Sequence, residues 1–339
     1  MFPATDRQSS LHATHPFPVD NISLSEKKEH VTLDMAYAAC QRIAHHYENF
    51  PVGLLVSHSL RPHIHAVYAF ARLADDIADE GYGNLAADHI PPERTVPGRL
   101  AGLHRFEAAV RNPASEPEDA IFVALHHTIQ QFDLPIQLFL DLLSAFAQDV
   151  EKKRYASFAE VLDYCRRSAN PIGRLVLLIH GEREEEQLAA SDAICTALQI
   201  TNFWQDISID LLKDRIYLPQ DGMTSFGVTE ESLLAGRAGP EFRALLAMEV
   251  ERAFRLFDEG CGLMQTLPRP LRWEIELTWH SGRRILEKIV DLDFDTLHHR
   301  PTLGVLDAPT LLAKAFFCIR DGSPRSPERA ALRPSLHAG

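Results

Sequence analysis

The sequence predicts an all-α fold, a single domain with a central cavity between helices. Apolar residues recur at helical spacing over long stretches. Segments of strict apolar–polar alternation, the mark of half-buried strands, are nearly absent. Two acidic clusters far apart in the chain both fall in helical segments, where their charges make chemical sense when something between them is shared.

Residues 31 to 80 carry helical periodicity interrupted at Asn49-Phe50-Pro51-Val52-Gly53, where Pro and Gly mark a turn between helices. The next helix is expected to begin near Arg61-Pro62, since Pro is tolerated in a first turn. Gly81 to Gly98, with Pro91, Pro92 and Pro97, reads as a loop, as does Arg111 to Asp119. Ala120 to Gly181 reads as three helical stretches and Ser191 to Leu212 as one, followed by a loop from Arg215 to Phe226. Further helices are expected across 229 to 266 and 268 to 291. The domain is therefore placed at residues 31–295, after a flexible segment 1–30 and before a C-terminal extension 296–339. Arg320 to Gly339, rich in Pro, Ser, Arg and Ala, reads as a disordered tail. No internal repeat of fixed period is visible.

With 339 residues, 45% of them hydrophobic, the chain can bury a sizeable core. Its 47 acidic against 34 basic residues give a formal charge of −13, and no Lys/Arg run could track a nucleic-acid backbone. Nucleic-acid binding is not expected. The five cysteines lack any C-x-x-C pair and suit reduced, mostly buried thiols of a cytoplasmic protein. Met1 to His30 has no charged start followed by an apolar stretch, so no signal peptide is read there. No apolar run approaches the ~20 residues of a membrane span, and any membrane contact is expected to be peripheral, at the inner face.

The first acidic cluster is Asp75-Asp76-Ile77-Ala78-Asp79. At about 100° per residue, Tyr68, Arg72, Asp75, Asp76 and Asp79 fall within one arc of roughly 100°, with Phe70, Leu73, Ala74 and Ile77 opposite. Asp75 and Asp79 at i,i+4 repel unless a shared cation turns the pair into a site. Taken alone, a D-D-x-x-D is equally a solvated acidic face. The second cluster supplies the specificity. Asn202, Asp206 and Asp210 recur at i,i+4 and project along one stripe, three oxygen ligands suited to Mg²⁺. Carboxylates cannot grip a phosphate directly, so two such rows on facing helices point to hard cations bridging them to a diphosphate. Lys213-Asp214-Arg215-Ile216-Tyr217-Leu218-Pro219 follows, a candidate flap whose cations lie close to the second row and whose closure would exclude water.

Through Tyr68 to Asp79 and through Asn202 to Asp210 with Asp214-Arg215-Ile216-Tyr217-Leu218-Pro219, the chain resembles the squalene and phytoene synthase family over roughly residues 35 to 295. Within it, Glu48 to Val52, Tyr164 to Arg174 and Arg283 to Ile289 are most similar to bacterial hydroxysqualene synthases of hopanoid pathways. The resemblance implies an isoprenoid synthase fold with helices around a central active-site cavity. It implies that Asp75 and Asp79, supported by Asp76, hold Mg²⁺ from one helix and Asn202, Asp206 and Asp210 from another, with two or three ions bound. By the same match, Arg72, Lys213, Arg215 and Tyr217 contact diphosphate oxygens, and Tyr68 and Tyr164 line the site where the leaving group departs. The implied activity is that of a carbon–oxygen lyase, taking presqualene diphosphate and water to hydroxysqualene and diphosphate. Condensation of two prenyl diphosphates such as farnesyl diphosphate, as in presqualene diphosphate, squalene or phytoene synthases, is the enzymatic alternative, and a non-catalytic lipid-binding or assembly protein the alternative of another class. Partners implied are a prenyl diphosphate, pathway enzymes and a membrane surface.

Two departures bear on the chemistry. The family's serine-rich phosphate-binding segment is replaced by Phe50-Pro51-Val52-Gly53, and its Ala-Gly on the third helix by Ala169-Asn170-Pro171. Pro171 removes an amide hydrogen, so a kink is expected there with freed carbonyls toward the cavity. Asn170 and Tyr164 then become candidates for positioning a water that captures a carbocation, while packing at the kink is an equal alternative. Gly81-Tyr82-Gly83-Asn84-Leu85-Ala86 follows a helix rather than a strand, so no NAD(P)H site is expected. The pairs His45-His46, His126-His127 and His298-His299 are adjacent and cannot both face one metal from a regular helix. Trp273, Trp279 and Phe294 are read as core residues rather than cation-stabilising walls, with an approach of Trp279 and His280 to the cavity from a late helix as the alternative.

Overall fold

Thirteen α-helices appear among the residues that the computed structural model describes: 31–47, 56–79, 91–304, 307 and 311. They are α1 Leu33–Tyr47, α2 Arg61–Ala78, α3 Val96–Arg111, α4 Ala120–Phe132, α5 Ile136–Glu151, α6 Phe158–Ile179, α7 Glu185–Gln205, α8 Ile207–Leu212, α9 Gln220–Phe226, α10 Glu230–Leu234, α11 Pro240–Gly260, α12 Leu263–Thr266 and α13 Arg269–Asp291. Extended pairing among these residues is limited to one isolated parallel bridge, Arg154 with Ile216. The segment 1–30, the turn around Pro51, the Gly81 to Ala86 motif and the tail from Arg320 lie outside the described residues.

Helix ends follow the local chemistry. Helix α2 opens at Arg61 with Pro62 in its first turn, as read from sequence. Asp119 caps α4 by accepting from the amides of Ile121 and Phe122. Three expectations need correction. The Gly81 to Gly98 loop ends earlier than expected: a 3₁₀ turn spans Pro92–Arg94, and α3 starts at Val96 because Thr95 accepts from the Gly98 amide while Pro97 sits harmlessly in the first turn. The loop from Arg215 to Phe226 contains α9, entered through Pro219 and ended by Gly227 at φ 72°. The helix expected from Ser191 starts at Glu185, with acidic residues in its first turn, and pauses at Asp206, which separates α7 from α8.

Helix α6 lies between two apolar clusters. Leu175, Leu178 and Ile179 join Phe70, Phe122 and Phe139 of α2, α4 and α5, while Val161, Cys165 and Leu177 join Trp204, Phe242 and Phe257 of α7 and α11. The α6–α7 seam is close: a Cβ at Gly173 would lie 2.4 Å from Cys195 Sγ, so only glycine allows this approach. Helix α6 thus links the helix carrying the first acidic row to the one carrying the second, and it runs as one helix through Pro171.

Candidate active site

The first row occupies the end of α2. Asp75 and Asp76 lie in its last turn, and Asp79 is the residue just past it, in extended backbone with its amide donating to the Asp75 carbonyl at 2.9 Å. Phe70 and Ala74 on the opposite face are fully buried, which fixes the helix and turns the acids outward from the core. Arg72 pairs with Asp75 at 3.2 Å and with Asp76 at 2.8 Å. Burial raises both carboxyls above their ordinary value, against the opposing pull of Arg72.

The second row survives the pause at Asp206. The Asp206 amide donates to Asn202 and the Asp210 amide to Asp206, both at 2.9 Å, so the i,i+4 stripe continues across the junction. Asn202 Nδ2 donates to Asp206 Oδ2 at 3.1 Å. Burial, then the charge of Asp206, pushes Asp210 up to about 7 despite Arg215 and Lys213 nearby.

The two rows meet. Lys213 Nζ, at the end of α8, lies 3.6 Å from Asp79 Oδ1, and its charge is also felt by Asp75 and Asp210. Arg300, from the segment after α13, forks onto Asp206 at 2.5 and 3.2 Å. Asp149 on α5 is coupled electrostatically to Asp75 of the first row, to Asp210 of the second and to Arg215. Six carboxylates (Asp75, Asp76, Asp79, Asp149, Asp206, Asp210) are thus linked, through ion pairs and charge coupling, with four cations (Arg72, Lys213, Arg215, Arg300).

An acidic excess of this kind suits hard cations. Among the described residues no three His, Cys, Asp or Glu side chains converge on one point. Mg²⁺ takes one or two carboxylates and completes its shell with water and substrate phosphate, and oxygen rows such as Asp75/Asp79 and Asn202/Asp206/Asp210 can supply such ligands. The donor set thus fits the metal the sequence implied.

The flap is anchored from below. Arg154 donates to Glu230 Oε1 and Oε2, each at 2.9 Å, to Asp214 Oδ1 at 2.7 Å and to the Asp214 carbonyl at 2.5 Å. Asp214 has φ 56°, a conformation that favours glycine and that these bonds hold in place. Of its neighbours, Lys213 reaches Asp79 and Arg215 is coupled in charge to Asp149 and Asp210. Arg215 donates to the Asp149 carbonyl at 3.4 Å.

Beside the second row stands an aromatic wall. Tyr217 stacks on Phe203 at 3.6 Å, and Tyr164 lies 5.8 Å from Phe203, 5.9 Å from Tyr155 and 6.3 Å from Tyr217. Phe203 and Tyr217, with Asp210, Arg215 and Leu218 among others, line a pocket of about 210 Å³, counted with the space open to solvent. The Tyr164 hydroxyl donates to Asp149 Oδ2 at 2.7 Å, and burial raises the phenol well above its ordinary pKa. Tyr68 is partly buried on α2.

Asn170 is buried on the α6–α7 seam. In the amide orientation that satisfies its neighbours, its nitrogen lies 2.9 Å from Thr196 Oγ1, 3.2 Å from the Asp192 carbonyl and 3.3 Å from the Cys165 carbonyl. Asp149 and Arg300 were not singled out by sequence reading. Trp279 is buried with Nε1 donating to the Phe257 carbonyl, as a core residue would be. His126 faces the Ala109 carbonyl while His127 faces Tyr37, so these neighbours do diverge.

With this geometry in place, the comparisons are specific. The squalene/phytoene synthase family model matches residues 43–307. A hydroxysqualene synthase of Zymomonas mobilis is 38% identical over 268 residues, covering 77% of this chain and 86% of the relative. One from Sinorhizobium fredii is 35% identical over 248 residues, covering 72% and 80%. Among solved structures, squalene synthase HpnC from Alicyclobacillus acidocaldarius superposes with a TM-score of 0.70 at 39% identity, covering 77% of this chain and 95% of that one. The chain belongs to the squalene/phytoene synthase family, and its helices form the all-α isoprenoid synthase fold of that family.

Proposed function

We propose that this chain is a hydroxysqualene synthase, converting presqualene diphosphate and water into hydroxysqualene and diphosphate. The observation that carries the reading is the meeting of two acidic rows at Lys213 and Asp79, with Asp210 of the second row lining a pocket together with the stacked Phe203 and Tyr217. The similarity to hydroxysqualene synthases at 35% and 38% identity supports the choice of substrate.

Asp75 and Asp79, with Asp76 behind them, and Asn202, Asp206 and Asp210 would hold two or three Mg²⁺ ions, which when bound neutralise the leaving diphosphate and promote its departure. Arg72, Lys213, Arg215 and Tyr217 bind and orient the diphosphate oxygens. Tyr68 and Tyr164 face the departing group. The flap keeps bulk water out while the carbon skeleton rearranges against Phe203, Tyr217 and Tyr164, whose ring faces favour positive charge. Tyr164, with Asn170 holding α6 against α7 behind it, positions the one water that reacts. No reductant is needed, because the cation is quenched by water rather than hydride.

No helix among the described residues is long and apolar enough to cross a membrane. Leu212 is 87% exposed and Ile209 38% exposed on α8, next to Lys213. This apolar tip supports a peripheral membrane contact through which a greasy product leaves.

The test is to supply the purified protein with Mg²⁺ and either presqualene diphosphate or farnesyl diphosphate, without reductant, and to identify the lipids. Hydroxysqualene from the first and no product from the second is expected. A condensed C30 diphosphate or a hydrocarbon from farnesyl diphosphate would place the chain among the condensing synthases. Binding without diphosphate release at saturating Mg²⁺ would mark a non-catalytic lipid binder.

A further inference from the structure

Adding water to a carbocation creates a problem that adding hydride does not: the new oxygen carries a proton that must go somewhere. Resting on the reading above, a group close to the aromatic wall has to accept it. The pair Tyr164–Asp149 is built for this. Tyr164, 5% exposed and walled by Tyr155, Phe203 and Tyr217, gives its hydroxyl hydrogen to Asp149 Oδ2 at 2.7 Å. A phenol that donates its one hydrogen keeps lone pairs to accept another. A water that donated to Tyr164 Oη would keep a lone pair free to turn toward the cation.

We propose that Asp149 is the terminal acceptor of the proton released on water capture, and that Tyr164 relays it. The water oxygen lone pair forms the C–O bond to the cationic carbon. One O–H bond of that water breaks, its proton passing to Tyr164 Oη as the Tyr164 hydroxyl proton moves to Asp149 Oδ2. The positive charge of the carbocation and the negative charge of the carboxylate are both discharged, and no oxidant or reductant is consumed. Asp149 acts through Tyr164, as a positioning residue and proton acceptor, without touching the carbon skeleton.

The surroundings agree with the role. Facing Asp149 are Tyr164 from α6, Arg215 from the flap, Asp75 from α2, Asp210 from α8, and Lys153, Tyr155 and Tyr217. Burial pushes the carboxyl up, which makes it a better proton acceptor than an exposed carboxylate. The rival acceptor is the departing diphosphate itself, and the experiment separates the two.

Full-length protein, Mg²⁺ and presqualene diphosphate are used without reductant, and the readout is hydroxysqualene formed per diphosphate released. For Asp149→Asn the ratio should fall roughly tenfold or more, in favour of polyenes formed by proton loss from carbon. Tyr164→Phe should shift the ratio the same way, and Asp149→Glu should restore part of it. An Asp149→Asn ratio equal to that of the wild type overturns the proposal and assigns the proton to diphosphate. Should Asp149→Asn release no diphosphate, the Tyr164→Phe ratio decides, and a wild-type ratio there overturns the proposal. A wild type that makes no alcohol sinks the functional reading and this proposal together.

Discussion

Lys213 Nζ lies 3.6 Å from Asp79 Oδ1, joining the end of the first acidic row to the helix that carries the second. Both side chains are nearly half exposed, so the pair itself adds little to stability. Its importance is positional, because it brings together two rows of oxygen ligands that are remote in the chain. Asp75→Asn and Asp206→Asn are each expected to lower kcat/KM for diphosphate release by roughly 10²–10³, about 3–4 kcal/mol. The double variant should lose far less than the product of the two, since the rows serve one bound group. Steady-state kinetics of the three variants check this, and multiplicative losses would separate the rows functionally.

The flap depends on Arg154, whose bonds to Asp214 and Glu230 hold a residue at positive φ. Arg154→Ala should lower stability by about 1–3 kcal/mol and raise KM more than it lowers kcat, because Lys213 and Arg215 lose their aim. Asp214→Gly should keep the backbone conformation and recover most of the wild-type KM in an otherwise intact chain. Thermal denaturation and the split between KM and kcat test both.

How far the site was legible can be traced residue by residue. The helices of the two rows were readable because i,i+4 spacing of Asn202, Asp206 and Asp210 needs no tertiary information, and that spacing survived the pause at Asp206. Asp149 carries no such signal: it sits in an unpatterned Asp149-Val150-Glu151-Lys152 stretch, and its partner Tyr164 belongs to the next helix. Arg300 reaches Asp206 from far along the chain through a segment without periodicity, held by Gln205 Nε2 donating to the Pro301 carbonyl at 2.6 Å. Helix α9 was concealed by its length, although Pro219 just before it is a start signal that could have been used. Proline at a helix start and proline as a breaker look alike until neighbouring caps such as Thr95 are weighed.

Asn170 ties α6, the helix of Tyr164, to α7 through Thr196 at 2.9 Å. Asn170→Ala should cost about 1–3 kcal/mol of stability, from the buried partners it leaves unsatisfied. It should also lower the share of alcohol among the products. An unchanged alcohol share would leave Asn170 a packing residue alone.

Buried carboxyls set a pH dependence in the metal-free protein. Glu249 is fully buried, accepts from Arg252 at 2.9 Å through one oxygen, and is pushed by burial from 4.5 up to about 7. The folded state therefore holds this proton where the unfolded state has lost it, and stability falls as pH rises from about 4.5 to about 7. Asp210, raised to about 7 by burial and Asp206, acts in the same direction. Glu249→Gln should flatten the slope and stabilise the protein at pH 8 by on the order of 1–3 kcal/mol. Because Asp210 must lose its proton to ligate a cation, Mg²⁺ affinity should weaken below about pH 7. Denaturation midpoints across pH, with and without Mg²⁺, measure both effects.

The most direct measurement is turnover of presqualene diphosphate with Mg²⁺ in ¹⁸O-labelled water, with no reductant present. Hydroxysqualene carrying solvent oxygen, one labelled atom for each diphosphate released, is the predicted result. Diphosphate release accompanied only by hydrocarbons, or an alcohol whose oxygen comes from the substrate, would contradict capture of the cation by a positioned water.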